Sequence, residues 1–124
     1  MVSAQVDALR SLLRSVTSDL DPAIKIECGH FFTGAAAYAN GRIFMTLTSV
    51  GVALKLPQDA RAVLIGKGAK PLRYFPRGPI KKDYVIVPDR ITRVASALAP
   101  WVAKSVVFSQ TFPKKKRRAA RRRS

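Results

Sequence analysis

Residues 34–57 read "GAAAYANGRIFMTLTSVGVALKLP", and the dipeptide at their centre decides the fold. Asn40-Gly41 is the preferred pair for a type I′ turn, whose two central residues both need positive φ, so it predicts a tight hairpin. After it, Ile43, Met45 and Leu47 alternate with Phe44, Thr46 and Thr48, as strand side chains on opposite faces do. A turn near Ser49–Gly51 leads into Val52, Leu54 and Leu56, which alternate with Ala53 and Lys55. Upstream, "IKIEC" places Ile24, Ile26 and Cys28 on one side and Lys25 and Glu27 on the other. Tight turns between alternating segments predict an antiparallel meander of three or four strands.

Helical signals flank the meander. Val6, Leu9, Leu13 and Val16 keep the spacing of one buried helix face over residues 3–18, Leu12 widens it, and Ser3 is a candidate N-cap. Pro22 biases the preceding residue toward extended geometry and closes this helix. Pro57 suits the first turn of a second helix, with Gly66 as its left-handed cap. A short strand is expected around Leu72–Phe75, and "DYVIV" reads as a strand buried on both faces. Pro88-Asp89 opens a last helical region. There Ile91, Val94, Leu98, Trp101, Val102 and Val106 hold helical spacing, and Pro100 must kink the helix or start a new one. The fold class is therefore α+β: an antiparallel sheet with helices on one face, in the order α, three or four β, α, two β, α.

The charge divides the chain. Its 124 residues include 23 Lys and Arg against 7 Asp and Glu, a formal +16. Lys114, Lys115, Lys116, Arg117, Arg118, Arg121, Arg122 and Arg123 supply eight of those cations, so the remainder keeps +8 of its own. Residues 1–110 read as a folded domain and 111–124 as a disordered polybasic tail, since such a run buries no apolar area. A hydrophobic content of 48% suits a globular body. Cys28, as the single cysteine, makes no internal disulfide, which fits a reducing, cytoplasmic location. No apolar run is long enough to span a bilayer, and Asp7 and Arg10 interrupt the N-terminal stretch where a secretory signal needs an apolar one.

From "IKIECGHFF" onward the chain resembles the N-terminal domain of the TfoX/Sxy competence regulators. The resemblance rests on Phe31–Gly34, Asn40-Gly41, Arg42–Leu47, Gly51–Pro57, Tyr74–Pro79, Tyr84–Pro88 and Trp101, in that order. It covers roughly residues 3–108. It implies an α+β fold similar to secretion-chaperone-like domains and a regulatory role without catalysis, and it supplies no catalytic residues. Two features depart from the family pattern. Its Met-Phe-Gly-Gly-like segment reads Cys28-Gly29-His30-Phe31-Phe32-Thr33-Gly34, and the basic run stands where the full-length regulators carry a second domain.

Side chains able to do chemistry are few. Cys28 and the single His30 sit two residues apart, as a nucleophile and base could, but Cys28 also continues the apolar alternation of Ile24 and Ile26. The seven carboxylates form no acid–base or metal motif. "IGKGAK" is similar to a phosphate loop yet lacks the G-x-x-x-x-G-K-[ST] pattern. These absences argue against an enzyme.

The tail can neutralise several phosphates with a steep salt dependence and little regard for sequence. It also fits a merely solubilising extension. "KPLRYFPRGPIKK" is a second candidate patch: Lys70, Arg73, Arg77, Lys81 and Lys82 interleave with Tyr74 and Phe75, a pattern that holds single strands or forms a solvated loop. The expected partner is DNA or RNA, bound non-specifically. The alternative is a protein-interaction module.

Overall fold

In a computed structural model, residues 4–17, 20, 22–31, 34–73 and 80–112 are described. Asn40 and Gly41 have φ of 51° and 81°, the two positive values that the predicted turn demands. They join β2 (Gly34–Ala39) to β3 (Arg42–Thr48). β1 (Ile26–Phe31) pairs with β2, and β4 (Gly51–Lys55) with β3, all antiparallel. The meander thus has four strands. After α2 (Gln58–Gly66) the chain forms β5 (Lys70–Leu72) at the edge and returns as β6 (Lys81–Ile86) between β5 and β4. The sheet order is β1-β2-β3-β4-β6-β5.

The helices share a single core with one face of this sheet. α1 (Ala4–Val16) buries Val6, Leu9, Leu13 and Val16, the four residues that its spacing marks. They meet Ala35, Ala37 and Ala39 of β2, whose small side chains leave room for a helix to lie close. Asp7 in the first turn and Arg14 in the last complement the helix dipole. α4 (Ala95–Ser109) crosses β3 and β4 and buries Leu98, Val102 and Val106 in the same core.

β3 departs from simple alternation. Met45 faces Ala37 and Ile43 faces Tyr38, so Phe44 is an extra residue, a β-bulge. The bulge turns Phe44 inward beside Met45, both fully buried, and leaves Ile43 only half-buried. The expected pairing of Ile43 with Met45 and of Phe44 with Thr46 is thereby corrected. The carbonyl of Phe44 accepts a hydrogen bond from the buried Ser105 Oγ at 2.7 Å, across 61 residues of chain. A hydroxyl on α4 thus satisfies a backbone group at the irregularity. Ser105→Ala is expected to cost about 1–3 kcal/mol by stranding that carbonyl, measured by chemical denaturation with an unchanged m-value.

Four further local expectations are corrected. The left-handed residue after α2 is Gly68 (φ 106°), with Gly66 still helical. Ala69 N–H donates to Leu64 O and Gly68 N–H to Ile65 O, a Schellman motif whose apolar pair is Ala69 and Leu64. The last helical region breaks at Val94, which is extended, between α3 (Asp89–Thr92) and α4. Pro100 stays inside α4, where it and Ser96, whose carbonyl loses a partner, are both exposed. The strand expected around Leu72–Phe75 runs from Lys70 to Leu72; Arg73 is outside it, and Tyr74, Phe75 and Ser3 fall outside the described residues. In "DYVIV", Val85 and Val87 are buried while Tyr84 and Ile86 are half-buried, so the strand is fully buried on one face only.

Candidate nucleic-acid interface

The polybasic run Lys114–Arg123 lies outside the described residues, but the chain leading into it is held firmly. Gln110 ends α4 and donates from Nε2 to Ala39 O at 2.8 Å. Its Oε1 accepts from Asn40 Nδ2 at 3.3 Å and from Arg42 Nη1 at 3.4 Å. Arg42 Nε donates to Phe112 O at 2.7 Å. The Phe112 ring meets Phe108 edge-on at 5.0 Å and carries the Lys55 ammonium 3.7 Å from its centroid. Asn40 also fixes the start of β1, accepting at Oδ1 from Lys25 N–H at 2.9 Å. The hairpin tip, the end of β4 and the end of α4 are thus tied together at Phe112, the last described residue.

Lysine in place of Arg42 keeps the charge but loses the forked donor. The Arg42→Lys variant should exchange the amides of Gln110, Thr111 and Phe112 roughly fivefold faster in hydrogen–deuterium exchange, about 1 kcal/mol of local stability, while core amides keep their protection.

The second candidate patch divides in the structure. Lys81 pairs with Leu72, Arg73 follows directly, and Lys82 precedes the residues that face Lys55. Lys70 sits farther along β5, opposite Ile86. All four are exposed, and Tyr74 and Arg77 lie outside the described residues. Tyr84 is half-buried, its ring centroid 6.0 Å from the Lys55 ammonium. Pro71 lies within the edge strand, a position where a missing N–H discourages pairing with another sheet.

Two more arginines of the body bond to backbone carbonyl oxygens. Arg61 donates to Leu56 O at 2.9 Å and to Lys82 O at 2.5 Å, and Arg90 donates to Lys67 O. A neutral carbonyl orients a guanidinium without cancelling its charge. Lys25 forms an ion pair with Glu27 at 3.6 Å, both exposed. Sequence reasoning missed Arg42, Lys55 and Gln110 as parts of the root, because residues some seventy positions apart meet there.

Two other places hold polar or apolar features of note. Cys28 and His30 lie opposite Ala37 and Ala35, Cys28 half-buried against the core and His30 exposed. Burial pushes the Cys28 thiol up from its ordinary range, and the Arg10 charge partly offsets this. A raised thiol pKa disfavours the thiolate a nucleophile needs. Among the described residues no three His, Cys, Asp or Glu side chains gather as metal ligands, and no helix is long and apolar enough to cross a membrane. Between α2 and α4 runs an apolar groove lined by Pro57, Ala60, Val63, Trp101, Val107 and Phe108. On its rim Val63 is 50% and Val107 66% exposed.

Against known proteins, the family described as the TfoX N-terminal domain matches residues 18–109. The match begins after α1 and stops at the last residue of α4, so residues 110–112 and the basic run lie beyond it. No curated protein matches the chain.

Proposed function

Because the chain belongs to the TfoX N-terminal domain family, we propose that it is a regulatory or adaptor protein, without catalysis of its own, whose basic tail gives it non-specific affinity for nucleic acid. The observation that carries this reading is the density of charge after the domain: eight cations in the ten residues Lys114–Arg123. Such a run releases several counterions when it meets phosphates, so affinity depends steeply on salt and little on sequence. The division into a body of residues 1–110 and a tail of 111–124 belongs to the same proposal, as does a cytoplasmic location, which Cys28 as the single cysteine supports.

Removing residues 114–124, or replacing their eight cations by glutamine, is expected to weaken binding to a mixed-sequence DNA at least about tenfold near 0.1 M salt. It should also flatten the plot of log affinity against log salt. Fluorescence anisotropy over a salt series reads both. Unchanged affinity and slope in the tail variants would sink the proposal.

The second reading, a protein-interaction module with a merely solubilising tail, draws on the groove between α2 and α4 and its exposed Val63 and Val107. It predicts a co-purifying protein that stays bound at high salt and after nuclease treatment, as a complex bridged by polyanion does not.

A further inference from the structure

We infer that one end of the sheet is a cationic platform that binds double-helical nucleic acid together with the tail, so that the body contributes phosphate contacts of its own. This rests on the tail reading above and adds a second surface to it. The platform comprises Arg42, Lys55, Arg61, Arg73, Lys81 and Lys82.

Register assembles these residues. Lys55 at the end of β4 faces Tyr84 of β6, two residues beyond Lys82. The N–H of Leu56 donates to Asp83 O at 2.8 Å, and Arg61 reaches Lys82 O from α2, so the start of β6 is held against the end of β4. Lys81 pairs with Leu72, which places Arg73 beside it. At the same end Arg42 and Lys55 hold Phe112, the last described residue before the basic run. The body's cations and the root of the tail therefore share one end of the sheet. Among the described residues the acidic groups there are Asp59, which accepts from the Ala60 N–H at 2.8 Å, the half-buried Asp83, and Glu27, which is engaged by Lys25.

The chemistry favours a duplex over a single strand. Single strands are held by stacking their bases on open aromatic faces. The described rings at this end, Tyr38, Tyr84, Phe108 and Phe112, are all half-buried, so among the described residues the platform presents charge rather than open stacking surface. A duplex turns its phosphates outward and its bases inward, and a row of cations reads the former.

The test compares two full-length triple variants of equal net charge. One replaces Arg73, Lys81 and Lys82 by glutamine; the other replaces Arg10, Arg14 and Arg93, exposed cations elsewhere on the body. The probes are a 24-base-pair DNA duplex of mixed sequence, the corresponding RNA duplex and a single strand of the same length. Melting curves check that all variants fold. The platform triple should lose about two to three units of salt slope and at least about tenfold in duplex affinity, at roughly one counterion per phosphate contact. The control triple should lose less than about threefold. Equal losses in the two triples would overturn the platform and leave the tail reading standing. Tighter binding of the single strand than of either duplex overturns the assignment to a double helix. If the unaltered chain binds none of the probes, both readings fall.

Discussion

Alanine in place of Gly34 is expected to lower the melting temperature by roughly 10 °C or more, from a loss of about 3 kcal/mol. Gly34 begins β2 and pairs with Phe31, so β1 turns back onto the sheet beside it. A Cβ built on Gly34 would fall on the carbonyl oxygen of Leu47 and within 2.9 Å of the Cα of Thr48. Both are backbone atoms of β3, fixed by pairing with β2 and β4. No rotamer change relieves such a clash, so β2 and β3 must separate where the helices rest on them. Gly29 is the control within the same hairpin. A Cβ there meets nothing within 4 Å, and alanine is a better strand residue than glycine, so Gly29→Ala should leave the melting point within a few degrees. Equal melting points for the Gly34→Ala and unaltered chains in a thermal scan would show that β3 does not hold its place.

How far the fold could be read from the sequence depended on the range of each signal. Asn40-Gly41 needs only two residues to set its dihedral angles, and the buried face of α1 repeats within thirteen residues. Local physics writes such features directly. The bulge at Phe44 is different, because Ser105, which completes it, lies 61 residues away. Gly66 and Gly68 compete within "GKG", and the winner is the glycine that lets Ala69 reach Leu64 and lie in the core. The break at Val94 escaped notice because apolar spacing continues through it, while its backbone is extended. The insertion of β6 between β4 and β5 has no local signature at all.

The candidate interface follows the same division. The number of cations was plain in the sequence, and so was the density of the run after Pro113. Their arrangement was not. Arg73, Lys81 and Lys82 share an end with Phe112 only because Lys55 faces Tyr84 in one direction and covers the Phe112 ring in the other. Lys55 reads in the sequence as an ordinary polar residue of an alternating strand. In the structure it joins the tail root to the β6 margin. Its charge therefore counts twice, once in holding Phe112 and once in the field at that end of the sheet.

The Phe44→Ala variant should lose about 3–5 kcal/mol, the largest stability effect expected of a single truncation here. Phe44 has no exposure and is the bulkiest of the fully buried side chains. It sits where the bulge redirects the strand, so its ring fills core space that regular alternation would assign to another residue. The pocket it leaves is bounded by paired strands and by α4, held to the same residue through Ser105, which limits how far the core can collapse into it. The residual cavity then adds to the lost burial. Phe44→Leu keeps most of the volume and should recover more than half of the loss. Ile43→Ala, one residue away and half-buried on the other face, should cost well under half as much as Phe44→Ala. Denaturant midpoints of the three variants give the order directly, and the reverse order for positions 43 and 44 would mean that β3 runs without its bulge.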